Sequence, residues 1–395
     1  MSARPNAAPV YLDYHATTPV DPRVLEAMLP WFTEKFGNPA SVTHAYGREA
    51  AAAVERAREQ VASLIGADPR EIVFTSGATE SNNLAIKGAA RFHRDERDHV
   101  VTLATEHKCV LESVHALERE GFRVTILPVQ SGGMVDLAAL EAALDERTAV
   151  VSVMAAHNEI GVLQPLEEIG ALARERGILL HSDAAQAVGK VSLDVEALGV
   201  DLLSISGHKV YGPKGIGALY VRRRPRARIA PLFDGGGQER GLRSGTLATP
   251  LCVGLGEAAA LAEREMATEA ERVGALRDCL LAGLRREVPA LRVNGDVGRR
   301  LPGNLNVTFP GIGALELMEA CPGLALSTGS ACTAAEVEPS YVLRAIGVSD
   351  DDARSSLRIG LGRFSTEKDV EFAVDSLGTA ARRLKIPSRR RGEVG

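Results

Sequence analysis

The chain has 395 residues, of which 45% are hydrophobic and 25% are charged, and its formal net charge is −5. This composition is typical of a globular protein and excludes a disordered or fibrous one, and the charge provides no basic field for a nucleic acid, so a small-molecule substrate is favoured. No apolar stretch is long enough to span a bilayer and the N-terminus lacks a signal core, so we expect a cytoplasmic protein with no membrane contact.

The cysteines are odd in number and form no C-x-x-C pair, so the sequence indicates neither a disulfide framework nor a structural zinc site. Their simplest interpretation is that of small buried hydrophobic residues, and only the last one has neighbours that suggest chemistry. They are Cys109, Cys252, Cys279, Cys321 and Cys332.

Short β-branched runs alternate with helix-compatible runs between residues 71 and 221. This alternation predicts an α/β fold with a mostly parallel seven-stranded sheet covered by helices, including Leu137–Leu144 and Leu166–Arg176. The predicted strands are Glu71–Thr75, His99–Leu103, Arg123–Leu127, Ala149–Met154, Ile178–His181, Asp201–Ser206 and Ile216–Val221. We assign residues 15–257 to this large domain.

The C-terminal part of the chain has a different pattern, which predicts a smaller α+β domain made of residues 1–14 and 258–395. A loop rich in glycine and charge, Gly235–Thr246, precedes it, and a loop of small residues at about 327–340 surrounds Cys332. The predicted elements are a long helix at Leu255–Ala282, a strand at Asn304–Thr308, a helix at Ala314–Glu319, a strand at Ser356–Leu361 and a helix from Thr366.

Polar residues follow several of the predicted strands, where open α/β sheets gather ligand-binding groups. The turn Ser76–Glu80 opens a helix, and its free N–H groups suit a phosphate, although any helix N-cap looks similar. Asp183 could pair with a protonated pyridine nitrogen or could cap the next helix. Lys209 could be an ordinary exposed turn lysine, but between His208 and an apolar valine it is better placed for a lowered pKa and Schiff-base chemistry.

Taken together, these motifs resemble those of the cysteine desulfurases of the class V aminotransferase superfamily, of the iron–sulfur-assembly, housekeeping type. The resemblance runs almost from end to end and implies a fold-type I enzyme that depends on pyridoxal 5'-phosphate. The matching segments are Tyr11–Tyr14, Ala16–Pro19, Phe36–Pro39, Ser76–Glu80, Thr105–Lys108, Asn158–Gly161, Asp183–Gln186, Ser206–Lys209, Arg243–Thr246, Gly329–Cys332 and Arg358. At position 15 the chain has His15, where the family more often has serine or asparagine.

The resemblance assigns roles to individual residues. Lys209 would hold the cofactor as an imine, His107 would stack on its ring and assist proton transfer, Asp183 would meet its ring nitrogen and Gln186 its phenolic oxygen. The phosphate would be held by Ala78, Thr79, Ser206 and His208, and by Thr246 from the neighbouring subunit of a homodimer. The carboxylate of the substrate, L-cysteine, would be bound by Arg358 and Asn158. Asn158 would also contact the cofactor, and Asn38 would be a further contact of the substrate.

Cys332 distinguishes a desulfurase from its relatives in this resemblance. Its loop, through Glu338–Ser340, resembles the longer form found in the housekeeping branch, and small neighbours suit a thiolate that must move. Lys209 would remove the α-proton of cysteine, and Cys332 would attack the substrate sulfur, release alanine and keep a persulfide. The persulfide would pass to an iron–sulfur scaffold or another acceptor, such as a tRNA-thiolation protein. No metal is expected in the resting enzyme, although Cys332 could transiently contact a nascent iron–sulfur cluster.

Other functions stay open at the level of the sequence. A selenocysteine lyase or a class V aminotransferase would have a similar cofactor site. A partner-dependent sulfur-relay protein with weak catalysis of its own is an alternative of another class. The identity of the sulfur acceptor depends on surfaces that sequence motifs do not describe.

Overall fold

The structure is a computed structural model, and it describes residues 8–328 and 338–385. The strands in this part of the chain are β1 (Val10–Tyr11), β2 (Ile72–Thr75), β3 (His99–Leu103), β4 (Arg123–Leu127), β5 (Thr148–Ser152), β6 (Leu179–Asp183), β7 (Leu202–Ser206), β8 (Gly217–Val221), β9 (Arg292–Val293), β10 (Asn304–Thr308), β11 (Leu324–Ala325) and β12 (Ser356–Gly360). The helices are α1 (Pro22–Met28), α2 (Pro30–Thr33), α3 (Ala45–Leu64), α4 (Ala78–His93), α5 (Lys108–Arg119), α6 (Leu137–Ala143), α7 (Leu166–Glu175), α8 (Thr249–Glu287), α9 (Ala314–Glu319), α10 (Tyr341–Ala345), α11 (Asp350–Arg354) and α12 (Glu367–Lys385).

The main sheet has seven strands in the order β2-β8-β7-β6-β5-β3-β4. Only β8 runs antiparallel to its neighbours, while β7, β6, β5, β3 and β4 pair in parallel. The predicted mostly parallel seven-stranded sheet is therefore confirmed, and each predicted strand lies within two residues of an observed one.

Helices cover both faces of this sheet because alternate residues of its inner strands point to opposite sides. Val101, Val151 and Leu203 join one apolar cluster with residues of α3 and α8. Their chain neighbours Val100, Val150 and Leu202 join a second cluster with residues of α4 and α5. Burial on both faces explains why these strands are almost continuously apolar in the sequence.

A smaller antiparallel sheet, in the order β12-β10-β9, has an apolar cluster of its own with α9 and α12. Helix α8 joins the two parts: Leu255 and Ala262 lie in the main cluster, whereas Val273 and Leu284 lie in the smaller one. The helix is longer at both ends than the predicted Leu255–Ala282. The division into domains at residue 257 stays a prediction.

The N-terminal segment connects the smaller sheet with the main one. Strand β1 pairs in parallel with β11, and Asp13 forms a bridge with Gly360 of β12. Further along, the backbone N–H groups of Thr18 and Asp21 donate to the carbonyl oxygens of His208 and Tyr211. Residues 13–18 are thereby placed directly against the turn that follows β7.

Strand β2 lies at an edge of the main sheet, and its free edge is covered by charged side chains. The N–H of Phe74 donates to Glu239 Oε2 at 2.6 Å, and Arg58 Nη1 donates to the carbonyl oxygen of Ile72 at 2.8 Å. Arg58 and Glu239 are themselves a buried ion pair at 2.8 Å. No helix in the described part of the chain is long and apolar enough to cross a membrane.

Candidate active site

A cavity of about 1290 Å³ opens at the carboxyl ends of β6 and β7, beside the start of α4. It is large enough for a cofactor and an amino acid together, since most ligand pockets measure roughly 300–1,000 Å³. The predicted site residues that line it are Ala78, Thr79, His107, Asn158, Asp183, Gln186, Ser206, His208, Lys209 and Arg358. Asn38 and Thr246 are exposed and do not line it, and Cys332 lies outside the described residues.

Lys209 ends the single helical turn Gly207–Lys209 that follows β7. Gly207 leaves no room for a side chain, because a Cβ atom there would lie 2.8 Å from the Pro213 carbonyl oxygen. Lys209 Nζ donates to the carbonyl oxygens of His15, at 2.5 Å, and Ala16, at 2.8 Å. Burial lowers the pKa of Lys209 to about 8, and the Arg358 charge contributes to this shift. The amine therefore gains a neutral form close to physiological pH.

Asp183 is the last residue of β6 and is 5% exposed. Its Oδ2 accepts a hydrogen bond from Asn82 Nδ2 at 2.7 Å, and its Oδ1 accepts one from the N–H of Ala185 at 2.9 Å. Among the described residues no helix lies between β6 and β7, so Asp183 does not cap one; it holds the following turn and also lines the cavity.

His107 caps the N-terminus of α5, where its Nδ1 accepts from the N–H of Cys109 at 3.2 Å. A neutral ring in that position carries its proton on Nε2, because Nδ1 supplies the accepting lone pair. Burial lowers the pKa of His107, with Asp183 opposing and Lys209 contributing. His107 therefore presents an uncharged ring to the cavity at neutral pH.

Helix α4 begins at Ala78, and its N-cap residue Gly77 provides no capping side chain. The first N–H groups of a helix have no partner within the helix, and together with the helix dipole they form a site for an anion. Ser206 and His208 line the same end of the cavity. Burial lowers the pKa of His208 to about 4, and its Nδ1 lies 3.1 Å from Thr17 Oγ1.

Arg358 comes from β12 and is 5% exposed. Its Nη2 pairs with Asp13 Oδ1 at 2.8 Å, and its Nη1 donates to the carbonyl oxygen of Asn158 at 3.1 Å. Its buried Nε has no partner among the described residues. Arg358 lines the cavity, and a guanidinium there is suited to the carboxylate of an amino acid.

Two buried glutamates, one through its carboxyl group and one through its backbone, tie α10 to the cavity. Glu159 Oε2 accepts from Ser340 Oγ at 2.6 Å, and the backbone oxygen of Glu106 accepts from the Tyr341 hydroxyl at 2.6 Å. Burial raises the pKa of Glu159 and raises that of Glu106 well above its usual value. Both glutamates lie in segments that carry the family resemblance, Thr105–Lys108 and Asn158–Gly161, but the resemblance assigned them no role.

This set of groups fits pyridoxal phosphate in four respects. The uncapped start of α4 suits the phosphate, and the Asp183 carboxylate suits a protonated ring nitrogen. The His107 ring is exposed to the space between them, and the Lys209 amine reaches the same cavity. The described residues contain no group of three His, Cys, Asp or Glu side chains that could hold a metal ion.

Comparison with known proteins gives a family and close relatives. The family model described as aminotransferase class-V matches residues 10–372. The cysteine desulfurase IscS of Anaeromyxobacter dehalogenans (strain 2CP-C) is 59% identical over 377 residues, which cover 95% of this chain and 93% of the relative. The cysteine desulfurase of Homo sapiens is 56% identical over 381 residues, covering 96% of this chain and 83% of the relative.

A solved structure of a NifS-like protein superposes with a TM-score of 0.89 at 39% sequence identity. The match covers 95% of this chain and the whole of the other. The similarity therefore extends over the main sheet, the smaller sheet and the cavity between them.

Proposed function

The chain belongs to the aminotransferase class-V family and is a pyridoxal-phosphate-dependent cysteine desulfurase, and within that activity we propose that Lys209 and Cys332 perform the two halves of the reaction. The observation that carries the proposal is the placement of Lys209 Nζ in the cavity, where it lies near both Asp183 and Arg358. That placement brings one amine within reach of the group that binds the cofactor ring and of the group suited to a substrate carboxylate.

The cofactor would be held by the residues already described: Ala78, Thr79, Ser206 and His208 at the phosphate, Asp183 at the ring nitrogen, Gln186 at the phenolic oxygen, and His107 and Asn158 beside the ring. Bound pyridoxal phosphate supplies an electron sink for the α-carbon of the substrate. Arg358 and Asn158 orient the substrate by its carboxylate, which directs the α-proton towards Lys209.

Lys209 acts as the base at the α-carbon. An ordinary lysine is almost fully protonated at pH 7, whereas the lowered pKa of about 8 leaves a useful fraction of neutral amine. His107 assists proton transfer from its Nε2 side, since Nδ1 is engaged with the start of α5.

Cys332 accepts the sulfur. Its thiolate attacks the substrate sulfur, a new S–S bond forms, the C–S bond breaks, and the electron pair of that bond remains with the carbon skeleton. Two protons then complete the products, so that one cysteine and one enzyme thiol give one alanine and one enzyme persulfide. The reaction needs no external oxidant or reductant.

The test follows the three products of this scheme in one sample. Purified enzyme is mixed with L-cysteine, and cofactor absorbance, alanine and protein-bound sulfur are measured together. Cys332→Ala should change the absorbance on substrate binding but release no alanine. The matched control is Cys279→Ala, which removes an exposed cysteine on α8 and should behave as the wild type. Alanine release by Cys332→Ala at the wild-type rate would contradict the assignment, and a need for a keto acid would indicate a transaminase.

We also propose that the enzyme is a homodimer in which Thr246 reaches the phosphate site of the neighbouring subunit. Thr246 is exposed and lies outside the cavity of its own chain. A patch of exposed apolar residues is available for the contact: Leu25, Leu29, Phe32, Phe36, Val42 and Tyr46. Coexpressed Lys209→Ala and Thr246→Ala chains should regain part of the activity that each variant lacks, whereas no recovery would contradict a shared site.

Sulfur would pass from Cys332 to an acceptor protein, for which we propose an iron–sulfur scaffold or a tRNA-thiolation protein. Asn38 stays a predicted contact of the substrate; its side chain accepts from the N–H of Ala40 in an exposed turn. The cytoplasmic location stays a prediction as well.

A further inference from the structure

Lys190 lies behind the cavity lining, where it contacts Gln186, and the reaction does not use it. It lies four residues after Gln186, and its Nζ donates to Gln186 Oε1 at 3.1 Å. No other hydrogen bond or ion pair of this ammonium appears among the described residues, and burial lowers its pKa to about 7, with Lys209 and Arg358 contributing and Glu269 opposing. Burial of an ammonium near two other cations lowers the free energy of unfolding unless a polar contact compensates it. For Lys190 that contact is the one with Gln186.

Gln186, which Lys190 contacts, is held from two sides. Its Oε1 also lies 3.0 Å from His15 Nδ1, and its Nε2 donates to the backbone oxygen of His15 at 2.9 Å. Gln186 and His15 are 4% and 1% exposed, so water does not satisfy these groups instead.

The orientation of this amide follows from the chemistry of its neighbours. When Lys190 is protonated it can only donate, so the atom that it contacts is then the oxygen. A backbone carbonyl can only accept, so the atom that meets the His15 oxygen must be the nitrogen. His15 must then donate from Nδ1, which agrees with a neutral ring, because burial lowers the pKa of His15 well below its usual value.

One hydrogen of the Gln186 amide remains to be placed. Its nitrogen carries two hydrogens, the His15 oxygen takes one, and no acceptor for the other appears among the described residues. Gln186 lines the cavity, and the same His15 oxygen also accepts from Lys209 Nζ. The free N–H therefore belongs to a side chain that shares a hydrogen-bond acceptor, the His15 backbone oxygen, with Lys209, the lysine proposed to hold the cofactor.

We propose that Lys190 and His15 are positioning residues that lock the Gln186 amide with its nitrogen, rather than its oxygen, available to the phenolic oxygen of the cofactor. The inference rests on the proposed function in that Gln186 faces the cofactor. Loss of either donor weakens the hold on the amide oxygen. Rotation of the amide, which the His15 carbonyl oxygen still opposes, would turn that oxygen towards the phenolic oxygen and repel it.

The consequence is measurable in the cofactor itself. In the bound cofactor, the phenolic oxygen and the Lys209 nitrogen would share a proton. A second donor at the phenolic oxygen would compete with that proton, which would therefore be lost at a lower pKa. A single hydrogen bond is worth roughly one pKa unit. The visible absorption of the enzyme without substrate reports this pKa as the midpoint of a pH titration.

The experiment compares that midpoint in holoenzyme variants of matched size. Lys190→Met removes the ammonium and keeps the length of the side chain, and it should raise the midpoint by about one pH unit. Lys190→Arg restores a donor and should return the midpoint to within a few tenths of a unit of the wild type. Cofactor content and thermal unfolding of each variant show whether it is folded and loaded.

A second background separates positioning from a direct effect of charge. In Gln186→Met there is no amide to orient, so adding Lys190→Met should not move the midpoint further. An equal shift in both backgrounds would show that Lys190 acts through space and would overturn the proposal, as would an unshifted midpoint in Lys190→Met. Should Lys190→Met fail to fold, His15→Leu and its conservative partner His15→Asn test the second donor in the same way.

The outcome is distinguishable from a failure of the proposed function. A wild-type protein without a titratable cofactor absorption would contradict the function as a whole. A wild type that titrates normally, with variants that titrate at the same pH, would contradict only the positioning role.

Discussion

The two walls of the cavity are built in different ways. The sheet wall, which consists of Asp183, Ser206 and Lys209, comes from residues at or just after the ends of strands. The opposite wall, which consists of His15, Ala16 and Arg358, comes from the N-terminal segment and from β12 of the smaller sheet. The sheet wall provides the groups predicted to react, whereas the opposite wall provides a carbonyl pair and a cation that hold and tune them.

The largest effect should come from the sheet wall. We expect Lys209→Ala to lower the rate of alanine formation by roughly 10²–10⁴-fold, the range for loss of a general acid–base group, because it removes the amine proposed to take the α-proton. The rate is measured at saturating L-cysteine in cofactor-loaded protein. Lys368→Ala, an exposed lysine of α12, is the matched control. A loss of less than tenfold would mean that another group removes the proton.

A smaller effect should follow from a change in the opposite wall. Arg358→Lys keeps the charge but loses the planar pair of donors, and we expect KM for cysteine to rise roughly 10–100-fold, as for loss of a charge-assisted hydrogen bond. Steady-state kinetics separate KM from kcat. Arg354→Lys, an exposed residue of α11, should leave both values unchanged. A fall in kcat alone would place Arg358 outside substrate binding.

The effect of Arg358, in the opposite wall, on the pKa of Lys209, in the sheet wall, can be tested by varying the pH. Only neutral Lys209 can react with the cofactor, and its pKa is about 8. The rate of cofactor loading into the apoenzyme should therefore rise about tenfold per pH unit below pH 8 and level off above it. In Arg358→Met the pH at which the loading rate levels off should be higher, because one of the charges that lower the pKa of Lys209 is absent. Stopped-flow absorbance measures the loading rate of both proteins. A wild-type rate that levels off only near the ordinary lysine pKa would refute the effect of Arg358 on Lys209.

A further effect, on stability and not on activity, concerns the side chains that support the sheet wall. His181 lies between Ser152 Oγ, at 2.8 Å, and Ser204 Oγ, at 3.0 Å, and burial lowers its pKa to about 3. Below pH 6.5 the unfolded chain binds a proton at this histidine and the folded chain does not, so acid lowers the free energy of unfolding by about 1.4 kcal/mol per pH unit.

His181→Gln should reduce this acid sensitivity between pH 6.5 and 4. Urea titrations at several pH values measure it. An unchanged slope in the variant would mean that His181 titrates normally in the folded protein. His115→Gln, which changes a half-exposed histidine of α5, is the control and should keep the wild-type slope.

The contrast between the walls also explains what the sequence could predict. The strands of the main sheet and the residues that follow them are local features, so Asp183, Lys209 and the turn before α4 were recognisable from apolar runs and the polar groups after them. The contacts of His15 with Lys209 and Gln186 join residues far apart in the chain and depend on the path of the N-terminal segment. Lys190 gave no signal apart from its spacing of four residues from Gln186.

The roles assigned by resemblance have a mixed standing. Ten of the predicted site residues line one cavity, although their individual roles stay predictions. Cys332, on which the chemistry of sulfur transfer depends, lies outside the described residues. A cysteine among small residues becomes a candidate only through its neighbours in sequence, because the geometry of such a loop is not dictated by apolar periodicity.

The covered edge of β2 has a consequence for the behaviour of the protein at high concentration. A bare edge strand is a template on which the sheets of two molecules can join and aggregate. Here the N–H of Phe74 and the carbonyl oxygen of Ile72 are already taken by Glu239 and Arg58. Loss of this ion pair would expose the edge of β2 to pairing with a second molecule, which would favour aggregation.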